Sequence, residues 1–329
     1  MSIRPALHPE LRAFVDFMRP GGDVDETTLP LARKELAAQM AMLPAEHPGC
    51  EVTRASARSE DGYDVPLVVV RPLAGAGTGT GRPAIVWAHG GGYVAGHAEA
   101  GTPFLAELAT DLGMVGVSVD YRLAPEHPHP APVQDALAGL LWTHEHAADL
   151  GIDRARIAVG GESAGGGLAA ALSTLARDRG GPAICRQLLV YPMLDDRTAA
   201  EGTRPGPGVG EVMWSPASNR YAWRSLLGGV EPGSADVSPY ASAARAEDLR
   251  GLPPTFIDVG DLDLFAEECV AYAERLVRAG VPTDLHVVAG AVHGYVYAGD
   301  DLEVCRDHRD RVRTFLAGPE GRERVPPSR

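Results

Sequence analysis

No stretch of this 329-residue chain approaches the roughly 18 to 20 consecutive apolar residues that a membrane-spanning helix needs. Its first residues, Met1 to Met18, carry charges throughout and hold no apolar block of leader-peptide length, so a cytoplasmic protein is expected. Cysteine is scarce: Cys50, Cys185, Cys269 and Cys305 are all there is, and none sits in a CxxC pair. Cys305 and His308 lie three apart, but no second pair completes a metal-binding set, so neither a zinc module nor a disulfide framework is expected. The four read as free, buried thiols. Basic residues are also in deficit, 30 against 44 acidic ones, for a formal charge of −14. A chain this acidic repels phosphate backbones and anionic lipid, which argues against nucleic-acid and membrane-surface partners. There is no internal repeat and no long low-complexity block, so overall disorder is not expected.

Apolar material is plentiful, at 45% of residues, enough for one large core. It falls into short runs rich in Val, Ile and Leu that alternate with helical stretches, the pattern of a mostly parallel sheet covered on both faces. The spacing predicts strands at Pro66–Arg71, Ala84–Ala88, Met114–Val119, Arg156–Gly160, Gln187–Tyr191, Thr255–Val259 and Asp284–Val288. It predicts helices at Val133–Ala147, Ala164–Arg179, Ala266–Ala279 and Leu302–Leu316. The third of these should bury Val270, Ala273, Leu276 and Val277, and it stops at Gly280 with Pro282 beyond. Two regions break the alternation. Residues 1–50 read as amphipathic helices, one with Leu11, Phe14, Val15 and Met18 on a face and another over Leu29–Met42. Residues 196–236 hold the Gly/Pro-rich loop Gly202–Gly210 and then an aromatic helical stretch with Trp214, Tyr221 and Trp223. Leu73–Arg82 reads as a surface loop and Pro319–Arg329 as a frayed tail.

Chemistry is concentrated in two motifs. Gly161-Glu162-Ser163-Ala164-Gly165 stands between a predicted strand and a predicted helix, the setting of a nucleophile elbow. There the serine takes a strained backbone conformation, the two glycines avoid collision, and the helix N-terminus aims free N–H groups at developing negative charge. His89-Gly90-Gly91-Gly92-Tyr93 directly follows another strand, and its three glycines let backbone N–H groups approach a substrate oxygen. Gly91, Gly92 and Ala164, the residue after the nucleophile, are therefore the expected oxyanion-hole donors. His89 is better placed to fix that loop by hydrogen bonds than to act as a base.

These motifs, with Asp120-Tyr121-Arg122-Leu123-Ala124-Pro125-Glu126 between them, resemble the hormone-sensitive-lipase-like carboxylesterases, the bacterial group IV, over about residues 60 to 316. The resemblance implies an α/β-hydrolase fold with a helical cap, and a carboxylesterase for short- to medium-chain acyl esters that uses no cofactor. The GESAG spelling departs from the family's commoner GDSAG, which bears on subgroup and substrate. In the chain order Ser, acid, His, both Asp261 and Asp263 compete for the acid. The resemblance places it nine residues before the Tyr-Ala pair at Tyr272, which selects Asp263. His293 follows the last predicted strand and carries the family's His-Gly pair, so Ser163, Asp263 and His293 form the expected triad.

The two irregular regions fall where the family carries its cap. This gives N-terminal cap helices at 1–50, core at 51–195, a cap insertion at 196–236, core again at 237–317 and a flexible tail at 318–329. Tyr93, Phe14, Met18 and Trp214 are the candidate substrate contacts, with Phe17, Tyr221 and Trp223 alongside. Arg122 and the prolines after it read as structural, and Glu162 as a residue that bonds loop backbone or holds a water near the site. A homodimer through the edge near Asp284–Val288 is a further implication of the family. Three readings remain open at this point. They are an esterase, a specialised lactonase, amidase or deacetylase on the same triad, and a non-catalytic ligand receptor on the fold. The last is disfavoured because receptors resembling this family lack the histidine that His293 supplies. An interfacial lipase is disfavoured by the acidic charge and by cap segments without a long continuous apolar surface.

Overall fold

The computed structural model of the protein describes residues 6–18, 22–42, 47–73 and 81–318. Most of the predicted loop at Leu73–Arg82 and the whole predicted tail Pro319–Arg329 lie outside the described residues.

In chain order the elements are α1 (Arg12–Phe17), α2 (Leu29–Met40), β1 (Cys50–Arg58), β2 (Asp64–Pro72), β3 (Arg82–Ala88), α3 (Thr102–Leu112), β4 (Val115–Val119) and α4 (Ala131–Glu145). They continue with β5 (Ile152–Glu162), α5 (Ala164–Asp178), β6 (Gln187–Val190), α6 (Pro216–Leu227), β7 (Thr255–Gly260), α7 (Ala266–Arg278), β8 (Thr283–Val288) and α8 (Glu303–Ala317). The strands form one sheet in the order β1-β2-β4-β3-β5-β6-β7-β8. β2 runs antiparallel to both of its neighbours, and every pair from β4 to β8 is parallel.

The central strands read as continuous apolar runs because helices cover both of their faces. Every residue of β4, VGVSV, is buried, as is all of β6 and β7. Burying each Val or Leu side chain there is worth about 1.5–3 kcal/mol. Ser118 within β4 satisfies its hydroxyl on the Ala98 carbonyl at 2.8 Å. The parallel register aligns the C-terminal ends of β3, β5, β7 and β8, and the loops that leave those ends carry the motifs singled out above.

Two elements escaped the sequence reading. β1, CEVTRASAR, is an outer antiparallel strand whose charges face solvent, so no apolar run announces it. α3 carries Pro103 in its first turn, buries Leu105, Leu108 and Ala109, and ends at the left-handed Gly113 with φ 63°. That is a legible helix signature. The face expected for α7 is corrected by the structure. Cys269, Tyr272, Ala273 and Leu276 are buried, whereas Val270 and Val277 stand 43% and 61% exposed. The buried set follows the i, i+3, i+4, i+7 spacing of a true helical stripe, and the two valines lie off its edge.

Arg122 is structural, as expected. Its guanidinium forks onto both oxygens of the fully buried Asp135 at 2.8 and 2.7 Å, takes Asp61 at 2.6 Å, and lies over the Tyr63 ring. The hydrogen bonds to Asp135 hold the guanidinium firmly charged. Removing either partner of such a buried pair costs about 3–5 kcal/mol, because the other charge is left uncompensated.

The irregular segments lie on the loops at the strand ends. His8 N–H bonds the Gly290 carbonyl at 2.9 Å, and Glu10 caps α8 through the Val304 N–H at 3.0 Å. Arg33 of α2 bonds the Val94 and Ala124 carbonyls at 2.7 and 2.9 Å and pairs bidentately with Glu126. Val24 N–H bonds Ser218 of α6 at 2.9 Å, which ties the two irregular segments to each other.

Candidate active site

β5 delivers its last residue, Glu162, to the mouth of the sheet, and the chain turns at once into α5. Ser163 occupies that turn with φ 53° and ψ −121°, a conformation rarely adopted by a side-chain-bearing residue. Its surroundings enforce the strain. The Ser163 N–H bonds the Val190 carbonyl at 2.9 Å, and its carbonyl accepts from Met193 and Gly167 at 2.9 and 3.1 Å. The flanking glycines are a steric requirement. A Cβ at Gly161 would stand 2.3 Å from the Gly165 backbone, and one at Gly165 would stand 2.1 Å from the Ala88 carbonyl oxygen.

Asp263 lies just past the end of β7, wholly buried, with Oδ1 accepting the Phe265 N–H at 2.9 Å. Its Oδ2 meets Nδ1 of His293, from the loop after β8, at 2.7 Å, and His293 Nε2 meets the Ser163 hydroxyl at 3.0 Å. The structure thus brings Ser163, His293 and Asp263 into one hydrogen-bonded chain from segments 130 and 30 residues apart. Ser163 and His293 are each 7% exposed, so the serine is reachable while the carboxylate beneath it is sealed. Tyr191 and Phe265 set their rings against the imidazole at 4.7 and 5.3 Å, both edge-on, which fixes its plane. Asp261 does something else: its carboxylate accepts the Gly290 N–H at 2.7 Å and shapes the β8 turn.

Opposite the serine, Gly91 and Gly92 take φ values of 113° and 63°, which are open to glycine at little cost. The Val94 and Ala95 N–H groups fold back onto the Gly91 carbonyl and curl the loop. The N–H groups of Gly91 and Gly92 meet no acceptor among the described residues. Ala164 is the first residue of α5, where an N–H has no intrahelical partner. His89 holds the loop from behind. It is 1% exposed, its ring stacks on Tyr121 at 4.2 Å, Nδ1 meets the Gly90 carbonyl at 2.7 Å, and Tyr121 bonds the His89 carbonyl. Burial drives its imidazole down to about 4, so it stays neutral at ordinary pH.

The expected substrate contacts divide. Trp214 lies against the glycine loop: a Cβ at Gly92 would come within 2.3 Å of its ring, and its Nε1 is tied to Asn219 at 3.3 Å. Phe14 and Met18 pack on a small apolar cluster that includes Leu262 and Val292, the residues preceding Asp263 and His293. Phe17, from the same helix, points away at 86% exposure. Tyr93 is a correction. Its side chain is 1% exposed, turned into the core near Trp223 and Gly167, and burial raises its phenol. It braces the loop from within and offers no ring to a bound molecule. Trp223 is likewise fully buried. Sequence reasoning missed Tyr191, Met213 and Tyr297. Met213, with φ 66°, reaches toward Gly294 of the histidine loop, but nothing in its local sequence marks it.

Among the described residues, no cluster of His, Cys, Asp or Glu could hold a metal ion, and no helix is long and apolar enough to cross a membrane.

Comparison with known proteins agrees with this geometry. A family model described as the alpha/beta hydrolase fold matches residues 85–297, well over half of the chain. The chain is 36% identical over 298 residues to carboxylesterase NlhH of Mycobacterium tuberculosis, covering 89% of this chain and 90% of that protein. Among solved structures, a bacterial heroin esterase superposes with a TM-score of 0.86 at 38% identity, covering 96% of this chain and 98% of that one. A hyperthermophilic esterase from the archaeon Pyrobaculum calidifontis gives 0.80 at 30% identity, with 94% and 97% coverage.

Proposed function

This chain belongs to the alpha/beta hydrolase family, in its hormone-sensitive-lipase-like group, and we propose that it cleaves short- to medium-chain carboxylic esters with Ser163 as nucleophile. That it is a carboxylic ester hydrolase follows from its relatives. The residue roles and the acyl preference are our reading.

The observation that carries the reading is the chain of contacts Asp263–His293–Ser163 at 2.7 and 3.0 Å. His293 Nε2 takes the hydroxyl proton as Ser163 Oγ attacks the ester carbonyl. Asp263 accepts a hydrogen bond from Nδ1–H throughout without taking the proton, which fixes the tautomer and stabilises the imidazolium. The N–H groups of Gly91, Gly92 and Ala164 receive the negative charge that forms on the carbonyl oxygen. Collapse of the tetrahedral intermediate expels the alcohol, protonated by His293, and leaves an acyl-enzyme. Water, activated by the same histidine, then releases the acid. Residue side chains and backbone supply every step.

Residues 1–50 and 196–236 act in this reading as a cap over the core segments 51–195 and 237–317. The Val24–Ser218 bond between them supports that division. Trp214, Phe14 and Met18 wall the acyl or alcohol pocket. The four free thiols suit a reducing cytoplasm. β8 ends the sheet with one side unpaired, and self-association across it belongs to the same proposal.

Hydrolysis of p-nitrophenyl esters from acetate to palmitate tests the substrate class. Turnover should peak at short or middle chain lengths and fall steeply at palmitate. A maximum at palmitate, or no turnover of any ester by folded protein, would overturn this assignment and favour a specialised metabolite hydrolase or a receptor.

A further inference from the structure

Glu162, the residue before the nucleophile, has no part in the chemistry just described, yet it is placed where three segments of the site converge. Its backbone is continuous with Ser163. Its Oε1 faces Gly90, which leads into the next two glycines: a Cβ placed at Gly90 would stand 3.4 Å from it. Its Oε2 accepts the hydroxyl of Tyr297, four residues past His293, and that of Tyr191 at 3.3 Å. Tyr191 is the same residue whose ring lies edge-on to the imidazole at 4.7 Å. The Tyr297 ring is largely exposed while its hydroxyl turns inward, so this bond is the ring's tie to the site. One carboxylate is therefore joined to the elbow, the oxyanion loop, the wall of the histidine and the histidine loop.

We propose that Glu162 is a positioning residue for the esterase reaction, clamping the glycine loop and the histidine loop to the elbow. The proposal rests on the Ser163 reading above. Several features set it apart from mere filling of space. A half-buried carboxylate is costly unless donors meet it, and the Tyr297 and Tyr191 hydroxyls converge on this one. Burial pushes its carboxyl up, while Tyr297, the Gly90 amide, Tyr191 and the nearby His293 oppose that rise. The groups facing it are Tyr191 at the end of β6, Tyr297 and His293 from the loop after β8, and more distantly Tyr121. His293 in turn faces Asp263, Ser163 and Tyr191.

The test is kcat and KM on a p-nitrophenyl ester for the full-length parent, E162Q and Y297F. Gln keeps the shape and an acceptor but weakens the hold on the two tyrosine hydroxyls. The kcat of E162Q should fall about tenfold or more with KM nearly unchanged, since alignment of the site in the transition state is what is lost. Y297F, altered at a largely exposed ring, should lower kcat about three- to tenfold through the loosened histidine loop. A kcat loss matched by an equal rise in KM in E162Q, or parental kcat in Y297F, would overturn the clamp. If E162Q does not fold, Y297F alone decides the clamp and with it the proposal. A parent that turns over esters while both variants match it rejects this inference alone. A parent without Ser163-dependent turnover rejects the reading beneath it.

Discussion

Ser163→Ala should lower kcat by about a millionfold, a barrier increase of roughly 8 kcal/mol, and leave a folded protein. The size of the loss comes from the site's construction. Among the described residues, the Ser163 hydroxyl is the only oxygen recorded in a hydrogen bond with His293 Nε2, so no second hydroxyl or thiol there stands ready to replace it. The fold survives because the strained turn is held by backbone bonds to Val190, Met193 and Gly167, which alanine keeps. His293→Ala should cost a similar factor, and the double variant should cost little more than either, since nucleophile and base act as one unit. Steady-state rates on p-nitrophenyl butyrate, with circular dichroism on the same samples, check all three. A Ser163→Ala enzyme within about tenfold of the parent would rule out this nucleophile, because so small a loss is only 1–2 kcal/mol of barrier.

Asp263→Asn should reduce kcat by about ten-thousandfold, whereas Asp261→Asn should stay within about threefold of the parent. The two aspartates are two residues apart, yet their partners separate them completely. Asp263 is fully buried and accepts from His293 Nδ1, so an amide in its place can donate to that nitrogen and stabilise the wrong tautomer. Asp261 is exposed and, among the described residues, accepts only the Gly290 N–H, a turn contact that does not reach the imidazole. Rates for the two variants measured side by side decide the matter. The reverse ranking would place the acid at Asp261 and contradict the hydrogen-bond geometry.

The parallel core was legible because its strands are buried on both faces, and runs such as VGVSV and TFIDVG have no other sensible home. β1 was not, because an outer strand rich in Glu and Arg looks like a loop until its partner β2 is known. The α7 face was misread because Val270 and Val277 are apolar and nearly in phase with the stripe. Only the packing against the sheet showed that Cys269 and Tyr272 take the buried positions. At the site, Ser163 and the glycine loop are local motifs, and their sequence alone indicates their geometry. The pairing of Asp263 over Asp261 needed the family resemblance, since both stand just past the same strand end. Tyr93 was expected to face a ligand because it follows the glycine loop. Its positive φ of 63° turns the side chain into the core, which no pattern of residue types reveals. Tyr191 and Tyr297 meet Glu162 from loops 29 and 135 residues away, so their convergence is a property of the fold and not of any segment.

The most direct test of the central claim is stoichiometric labelling with an aryl phosphate triester such as diethyl p-nitrophenyl phosphate, followed by peptide mapping of the adduct. Such a reagent phosphorylates a serine that is activated by a base and aimed at an oxyanion site, and it leaves ordinary serines untouched. The account predicts one equivalent of p-nitrophenolate released per chain, complete loss of esterase activity and a single diethylphosphoryl group on Ser163. Labelling at another residue, or full activity retained after Ser163 is modified, would contradict it.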